Sequence, residues 1–180
     1  MHNRRQRQHD SDLVSVVQFG HNSRVTCQLK NIANAPGSLS YKGGNTCFSP
    51  AAASACNIAR QTPSSHEPVI IFMSDGMAND SQSAANHFSA FNQELKIRSG
   101  SDLELHVIGF GGGTDTTQLQ QIAGASANGR VHTASDIDSL SKVFVQIAGG
   151  GDAVASVLEA EIGKRISDAV TDRLSAEYLG

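Results

Sequence analysis

The stretch Val69-Ile70-Ile71-Phe72-Met73-Ser74-Asp75-Gly76 decides the fold class of this chain. Its first five residues form a short apolar run of the kind that occupies buried parallel strands. The polar residues after it predict a loop, and Asp80 can cap a helix that follows. That helix would bury one face, because apolar residues recur in it at spacings of three and four: Ala84, Phe88, Phe91 and Leu95. The stretch is therefore one unit of strand, loop and helix.

The same alternation continues on both sides of this unit. Upstream, the run Leu13–Phe19 is β-branched and nearly continuous, which predicts a central strand covered on both faces. After a turn, Val25, Cys27 and Leu29 alternate with polar residues and predict an antiparallel edge strand. The other predicted elements are a helix with Ser49 as its N-cap, a strand over 103–110, a helix around Leu119 ended by Gly124, a brief strand at Val131 and a helix capped by Asp136.

This order of elements predicts an α/β fold. Strands that alternate with helices form a mostly parallel sheet with helices on both faces, here with one antiparallel edge strand. Residues 13–148 hold the repeating units and form the predicted domain. Residues 1–12 are polar and predict a disordered tail. Residues 152–179 predict an extra amphipathic C-terminal helix that docks on the domain or on a neighbouring helix, with apolar residues every four positions: Val154, Leu158, Ile162, Ile166, Val170 and Leu174.

Charge and cysteine content exclude several classes of protein. The chain of 180 residues carries 14 Lys and Arg against 17 Asp and Glu, a net charge of −3, so it lacks the basic face that nucleic-acid binding requires. It has no secretory signal and no apolar run of about 18 residues, which argues against a membrane protein. The three cysteines, an odd number without zinc-site spacing, indicate free thiols in a reducing compartment. We therefore expect an intracellular, cytoplasmic protein.

Two loops at the predicted carboxyl ends of the strands could carry chemistry. They are Gly43-Gly44-Asn45-Thr46, before the Ser49 helix, and Ser74-Asp75-Gly76. Ligands of open α/β sheets bind at this edge. A hydroxyl and a carboxylate are oxygen ligands that suit a hard cation such as Mg²⁺ or Mn²⁺. An ion held by one negative charge would stay electrophilic and could accept a carboxylate from a partner protein.

The order of five motifs resembles the von Willebrand factor type A (VWA) domain. The motifs are residues 12–19, 43–46, 70–76 and 105–111 and the closing helix, so the resemblance spans about residues 13–148. It implies a Rossmann-like sheet, no catalytic activity, and protein recognition through a metal-ion-dependent adhesion site (MIDAS). By this resemblance Thr46 and Asp75 correspond to the family's threonine and aspartate ligands, and Gly44, Asn45 and Gly76 belong to the partner-binding rim.

One departure from the family concerns its first strand. That strand ends in Asp-x-Ser-x-Ser, a motif that this sequence lacks, so three family ligands are missing. The family's sheet order places the absent strand between Leu13–Phe19 and residues 69–73. Three outcomes are open: the domain is truncated at its amino terminus, the two strands close up on each other, or another polypeptide donates a strand. These outcomes arise because a sheet opened in the middle would leave two ladders of unpaired backbone groups, each of which demands a partner. We expect the first, an amino-terminally truncated domain.

Two other classes of function compete with the metal-dependent module. In a metal-independent intracellular scaffold, Asp75 and Thr46 would only bond their own loop backbones and helix faces would bind partners. In a nucleotide-binding, Rossmann-like enzyme, Gly111-Gly112-Gly113 would cradle a phosphate. That loop fails the dinucleotide fingerprint because Thr114 stands where the third glycine belongs, and its sequence favours a simple turn.

Overall fold

The computed structural model describes residues 12–40, 45–112 and 115–148. Five strands and four α-helices alternate along the chain. The strands are β1 (Leu13–Phe19), β2 (Ser23–Asn31), β3 (Val69–Ser74), β4 (Glu104–Phe110) and β5 (Gly129–Ala134). The helices are α1 (Phe48–Ala59), α2 (Ser81–Ser99), α3 (Thr116–Ala123) and α4 (Ile137–Ile147). The predicted α/β class is confirmed.

Strands β3, β4 and β5 form a parallel sheet in that order. Val69 lies opposite Glu104 and Leu105 opposite Gly129, so the three strands start together and their carboxyl ends share one edge. Parallel strands need covered faces. Helices α1, α2 and α3 cover one face in a single core that includes Phe72 and Val107, whereas α4 packs on the other face against Ile108.

Strands β1 and β2 form a separate antiparallel hairpin, as the turn residues after Phe19 predict. The pairing shifts register twice, between Val14 and Val16 and between Val16 and Val17. These irregularities break the alternation expected for β2. Cys27 is buried, but Val25 is 42% exposed, so the prediction that Val25 lies on a buried face is wrong.

The predicted central position of Leu13–Phe19 is wrong among the described residues. Strand β1 pairs with β2 only, and β3 pairs with β4 only, so the hairpin and the parallel sheet are not joined by hydrogen bonds there. The break falls where the resemblance places the absent strand. The two strands have therefore not closed up on each other, which was one of the three open outcomes.

Aromatic side chains connect the hairpin to the parallel sheet. The ring of Phe19, the last residue of β1, stacks on Phe72 of β3 with centroids 5.2 Å apart. Phe48, in the first turn of α1, meets the edge of Phe72 at 5.2 Å, and Phe88 of α2 approaches Phe72 at 5.9 Å. Because such rings bury large apolar areas, this cluster fixes the hairpin beside β3 without strand pairing.

Two predicted helix caps are corrected by the structure. Helix α1 begins at Phe48 with Cys47 as its N-cap, so Ser49 lies inside the first turn. Asp80 occupies the N-cap position of α2 but makes no side-chain bond to that helix. The other predicted caps are confirmed: Asp136 forms a capping box on α4, and Gly124 ends α3. The predicted buried face of α2 is also confirmed, with all four of its residues buried.

Two predictions lie outside the described residues. These are the polar tail, apart from Asp12, and the amphipathic helix over 152–179. Among the helices that the structure describes, none combines the length and the apolar character needed to cross a membrane.

Candidate functional site

Thr46 lies at the carboxyl edge of the parallel sheet, two residues before α1. Its position follows from the bonds of the chain around it. The Cys47 amide donates a hydrogen bond of 2.8 Å to the carbonyl of Gly20, which directly follows β1. The Thr46 hydroxyl oxygen would lie 3.5 Å from a Cβ atom built on Gly76. The two loops singled out in the sequence are therefore in van der Waals reach at this point.

The loop that holds Asp75 is fixed by the hydroxyl of Ser74, which is 5% exposed. The Gly76 amide donates to Ser74 Oγ at 3.2 Å, and that hydroxyl donates to the Gly76 carbonyl at 3.3 Å. Asp75 itself is exposed. Asp75 thus lies exposed in a turn closed by the preceding serine, next to Gly76, the residue that Thr46 approaches.

Farther along, the same loop is anchored to α3. The amide of Ala78 donates to Gln118 Oε1 at 3.0 Å, and the hydroxyl of Ser81 donates to Gln121 Oε1 at 2.7 Å. These bonds hold the middle of the segment between Asp75 and α2 and the first residue of α2. The loop that follows Asp75 is therefore tied to α3.

Asp80 joins the two rim loops. Its carboxylate accepts hydrogen bonds from the amide of Phe48 at 2.9 Å and from the amide of Ser49 at 2.8 Å. These amides belong to the first turn of α1, where backbone donors lack helical partners and the helix dipole favours negative charge. Asp80 thus caps α1 and not α2. Sequence patterns could not identify this partner because it lies more than 30 residues away.

The structure brings together some of the predicted site residues. Thr46 meets Gly76, the neighbour of Asp75, and Asn45 is exposed beside Thr46, whereas Gly44 lies outside the described residues. No group of three or more His, Cys, Asp or Glu side chains converges in the described part of the chain. A hydroxyl and a carboxylate fit the oxygen preference of Mg²⁺ or Mn²⁺, but two protein ligands leave most of an octahedral shell to water or to other donors.

A thiol that the sequence did not single out also lies at this rim. Cys47 Sγ is 4.0 Å from Nδ1 of His21, and the side chain is partly exposed. The other two cysteines, Cys27 and Cys56, are buried, and all three are free. Burial raises the pKa of Cys56 to about 12. Cys47 is therefore the accessible thiol among the three.

The glycine-rich loop after β4 shows features of a turn. The amide of Gly111 donates to the carbonyl of Ala134 at 2.8 Å, and its φ of 91° is one that glycine adopts readily. Asp115 then caps α3 by accepting from the Thr117 amide at 2.9 Å. Gly113 and Thr114 lie outside the described residues. An acidic cap at the start of α3 is unfavourable for a phosphate there.

Comparison with known proteins identifies the family. The family profile described as von Willebrand factor type A domain matches residues 3–146, most of the chain. The chain therefore belongs to the VWA domain family, as the resemblance indicated. Domains of this family bind divalent cations and mediate protein–protein interactions, and they are generally not enzymes.

Solved structures support the same fold. Proximal thread matrix protein 1 from the mussel byssus aligns with 76% of this chain at 20% identity and a TM-score of 0.56. A second structure of that protein, with a zinc-occupied MIDAS motif, aligns with 81% of this chain at 21% identity and a TM-score of 0.58. The matched region spans about a third of the mussel protein, 35% and 34% of its chain in the two cases. No curated protein matches the chain.

Proposed function

We propose that this chain is a non-enzymatic protein-recognition module that binds a divalent cation through Thr46 and Asp75. The proposal rests on the approach of the Thr46 hydroxyl to Gly76: a Cβ atom placed on Gly76 would lie 3.5 Å from the hydroxyl oxygen. It places the hydroxyl beside the residue that follows Asp75. The family and the zinc-occupied MIDAS of the mussel protein add support, because both concern cations bound by this kind of domain.

The chemistry of the two side chains favours Mg²⁺ or Mn²⁺. Both cations prefer hard oxygen ligands and keep several waters. With a single carboxylate, the site would leave the ion with most of its positive charge. Such an ion would attract a carboxylate of a partner protein, and Asn45, Gly44 and Gly76 would form the surrounding rim. Thr46 and Asp75 would orient the ion, and the partner would complete its shell.

The site is incomplete without further donors. The sequence lacks Asp-x-Ser-x-Ser, and the hairpin and the parallel sheet are separate among the described residues. We propose that a truncated first strand explains both observations, and that the chain alone binds metal weakly. A longer chain that supplies the strand would bind more tightly.

Calorimetric titration of the chain with Mg²⁺ and Mn²⁺ tests this proposal. We expect weak binding that Asp75→Ala abolishes and Thr46→Ala reduces. Glu67→Gln is the matched control, because Glu67 is an exposed carboxylate just before β3, at the opposite edge of the sheet. If the Asp75→Ala variant and the unsubstituted chain bind the metal with equal affinity at millimolar concentration, Asp75 is not a ligand and the site is excluded.

A metal-independent scaffold is the second candidate. The absence of three converging metal-binding side chains in the described residues favours it. In that case the rim would be a remnant, and helix faces would bind partners. Asp75→Ala would then leave the capture of a partner unchanged, with or without a chelator. The cation-dependent module requires that both the substitution and the chelator abolish capture.

A further inference from the structure

Two histidines meet on the face of the parallel sheet that carries α4. His106 lies on β4 and His132 on the neighbouring β5, where His132 pairs with Ile108. Side chains two residues apart on a strand share a face, so His106, Ile108 and His132 all project from this face. Helix α4 covers it at Ile108. His106 is buried, with 4% of its surface exposed, and His132 is half-buried.

The two rings approach each other at hydrogen-bond distance, with their planes tilted by 39°. Nδ1 of His106 is 3.0 Å from Nε2 of His132. If an ion were bound to both nitrogens at about 2.0–2.1 Å, their separation of 3.0 Å would give a nitrogen–metal–nitrogen angle of roughly 95°. That angle lies between octahedral and tetrahedral values. The N···N distance already fits such an ion, which would replace the hydrogen bond if each ring turned so that its nitrogen lone pair pointed at the ion and not at the other nitrogen.

Glu104 fixes which nitrogen of His106 carries the proton. Its Oε1 lies 3.2 Å from Nε2 of His106, on the side of the ring away from His132. A carboxylate accepts only, so this contact requires the proton on Nε2 and leaves the Nδ1 lone pair directed at His132. Metal-binding histidines typically donate their second N–H to such a carboxylate, which fixes the tautomer and the orientation of the ring.

We propose that His106 and His132 form a second cation site, selective for a borderline metal such as Ni²⁺ or Zn²⁺ over Mg²⁺. Imidazole nitrogens suit these metals, whereas the oxygen ligands of the rim suit Mg²⁺. On binding, His132 gives the Nε2 proton that it shares with His106 to solvent and takes up a proton from solvent on Nδ1, so that the ring stays neutral and no net proton is released. Water completes the coordination shell, so the site is weaker than one with three protein ligands.

Arg130 opposes the site. It pairs with His106 across β4 and β5, and its positive charge lies close enough to His132 to lower the pKa of that ring, together with burial and His106. The same charge repels a bound cation. Arg130→Gln should therefore raise the metal affinity severalfold, a change that no loss of structure would produce.

Calorimetric titration of the untagged full chain with Ni²⁺ and Zn²⁺ tests the proposal. Glu104→Gln removes a carboxylate that orients a metal ligand, so we expect it to lower the Ni²⁺ and Zn²⁺ affinity about 10-fold or more. We expect His132→Gln, which removes a ligand, to lower the affinity at least as much. His87→Gln is the control at an exposed histidine, and Asp75→Ala separates this site from the rim. Ni²⁺ affinity that is unchanged in His132→Gln, whatever Glu104→Gln does, or no Ni²⁺ binding at all, would overturn it.

Discussion

The carboxylate of Asp80 caps the helix that begins at Phe48, at 2.9 Å from its amide, although Asp80 itself precedes a different helix. This bond joins the loop after Asp75 to the first turn after Thr46. The relative position of the two proposed ligands therefore depends on a third acidic residue. Asp80 is a positioning residue of the rim.

Replacing Asp80 with alanine should destabilise the domain and the rim together. Two amides of α1 would lose a charged acceptor, which typically costs about 1–3 kcal/mol. Urea denaturation should show this loss, with Glu67→Gln close to the unsubstituted chain. If Asp80→Ala unfolds at the same urea concentration as the unsubstituted chain, the cap contributes nothing to stability.

Gly129 is a position where the fold leaves no room for a side chain. A Cβ atom there would lie 1.8 Å from the carbonyl oxygen of Ala123, which is backbone and cannot move alone. Gly129→Ala should therefore destabilise the domain by about 1–3 kcal/mol or more. Gly112→Ala is the matched control, because a Cβ there meets no atom within 4 Å. Equal thermal midpoints for the two variants would contradict this packing.

Cysteine reactivity should separate the rim thiol from the buried ones. Cys47 is partly exposed, whereas burial raises the pKa of Cys56 to about 12, which leaves almost no thiolate near neutral pH. Brief alkylation of the native chain followed by mass spectrometry should label Cys47 first. Labelling of Cys56 at the same rate would show that the packing of α1 against α2 does not shield it.

The stability of the domain should fall as the pH drops below about 6.5, in part because of His132. Burial, and then the nearby His106 and Arg130, lower the pKa of His132 from its ordinary value of 6.5. Between pH 6.5 and the lowered pKa of the folded state, the unfolded chain therefore binds a proton at His132 that the folded chain does not bind. The free energy of unfolding falls over this pH range as a result. Denaturation at a series of pH values, with a chelator present, should show a shallower fall in His132→Gln. Identical slopes would mean that His132 titrates alike in both states.

Local patterns predicted the elements well and the long-range relationships poorly. The strand formed by the apolar run before Ser74 and the buried face of α2 with Phe88 and Phe91 depend on the residues themselves, and both are confirmed. The predicted burial of the whole run is wrong, because Val69 and Ile71 are 48% and 40% exposed. The partner of Asp80 and the meeting of His106 with His132 depend on tertiary packing. No sequence spacing encodes those contacts.

The candidate site was predictable only in outline. Topology rules place the ends of parallel strands at one edge, which brings Thr46 and the Asp75 loop together. The register shifts in β1 and β2 and the break between the hairpin and the parallel sheet were not encoded by alternation alone. The intracellular localisation, the polar tail and the helix over 152–179 remain predictions.

Anomalous diffraction from crystals soaked in Mn²⁺ tests the central proposal most directly. We predict an anomalous peak for Mn²⁺ between the Thr46 hydroxyl and the Asp75 carboxylate. The ion should lie about 2.2 Å from the Thr46 hydroxyl oxygen, or be joined to the two side chains through a shared water. The peak should disappear in crystals of Asp75→Ala. A peak only at other acidic residues, or none at millimolar Mn²⁺, would contradict the assignment of these two side chains as cation ligands.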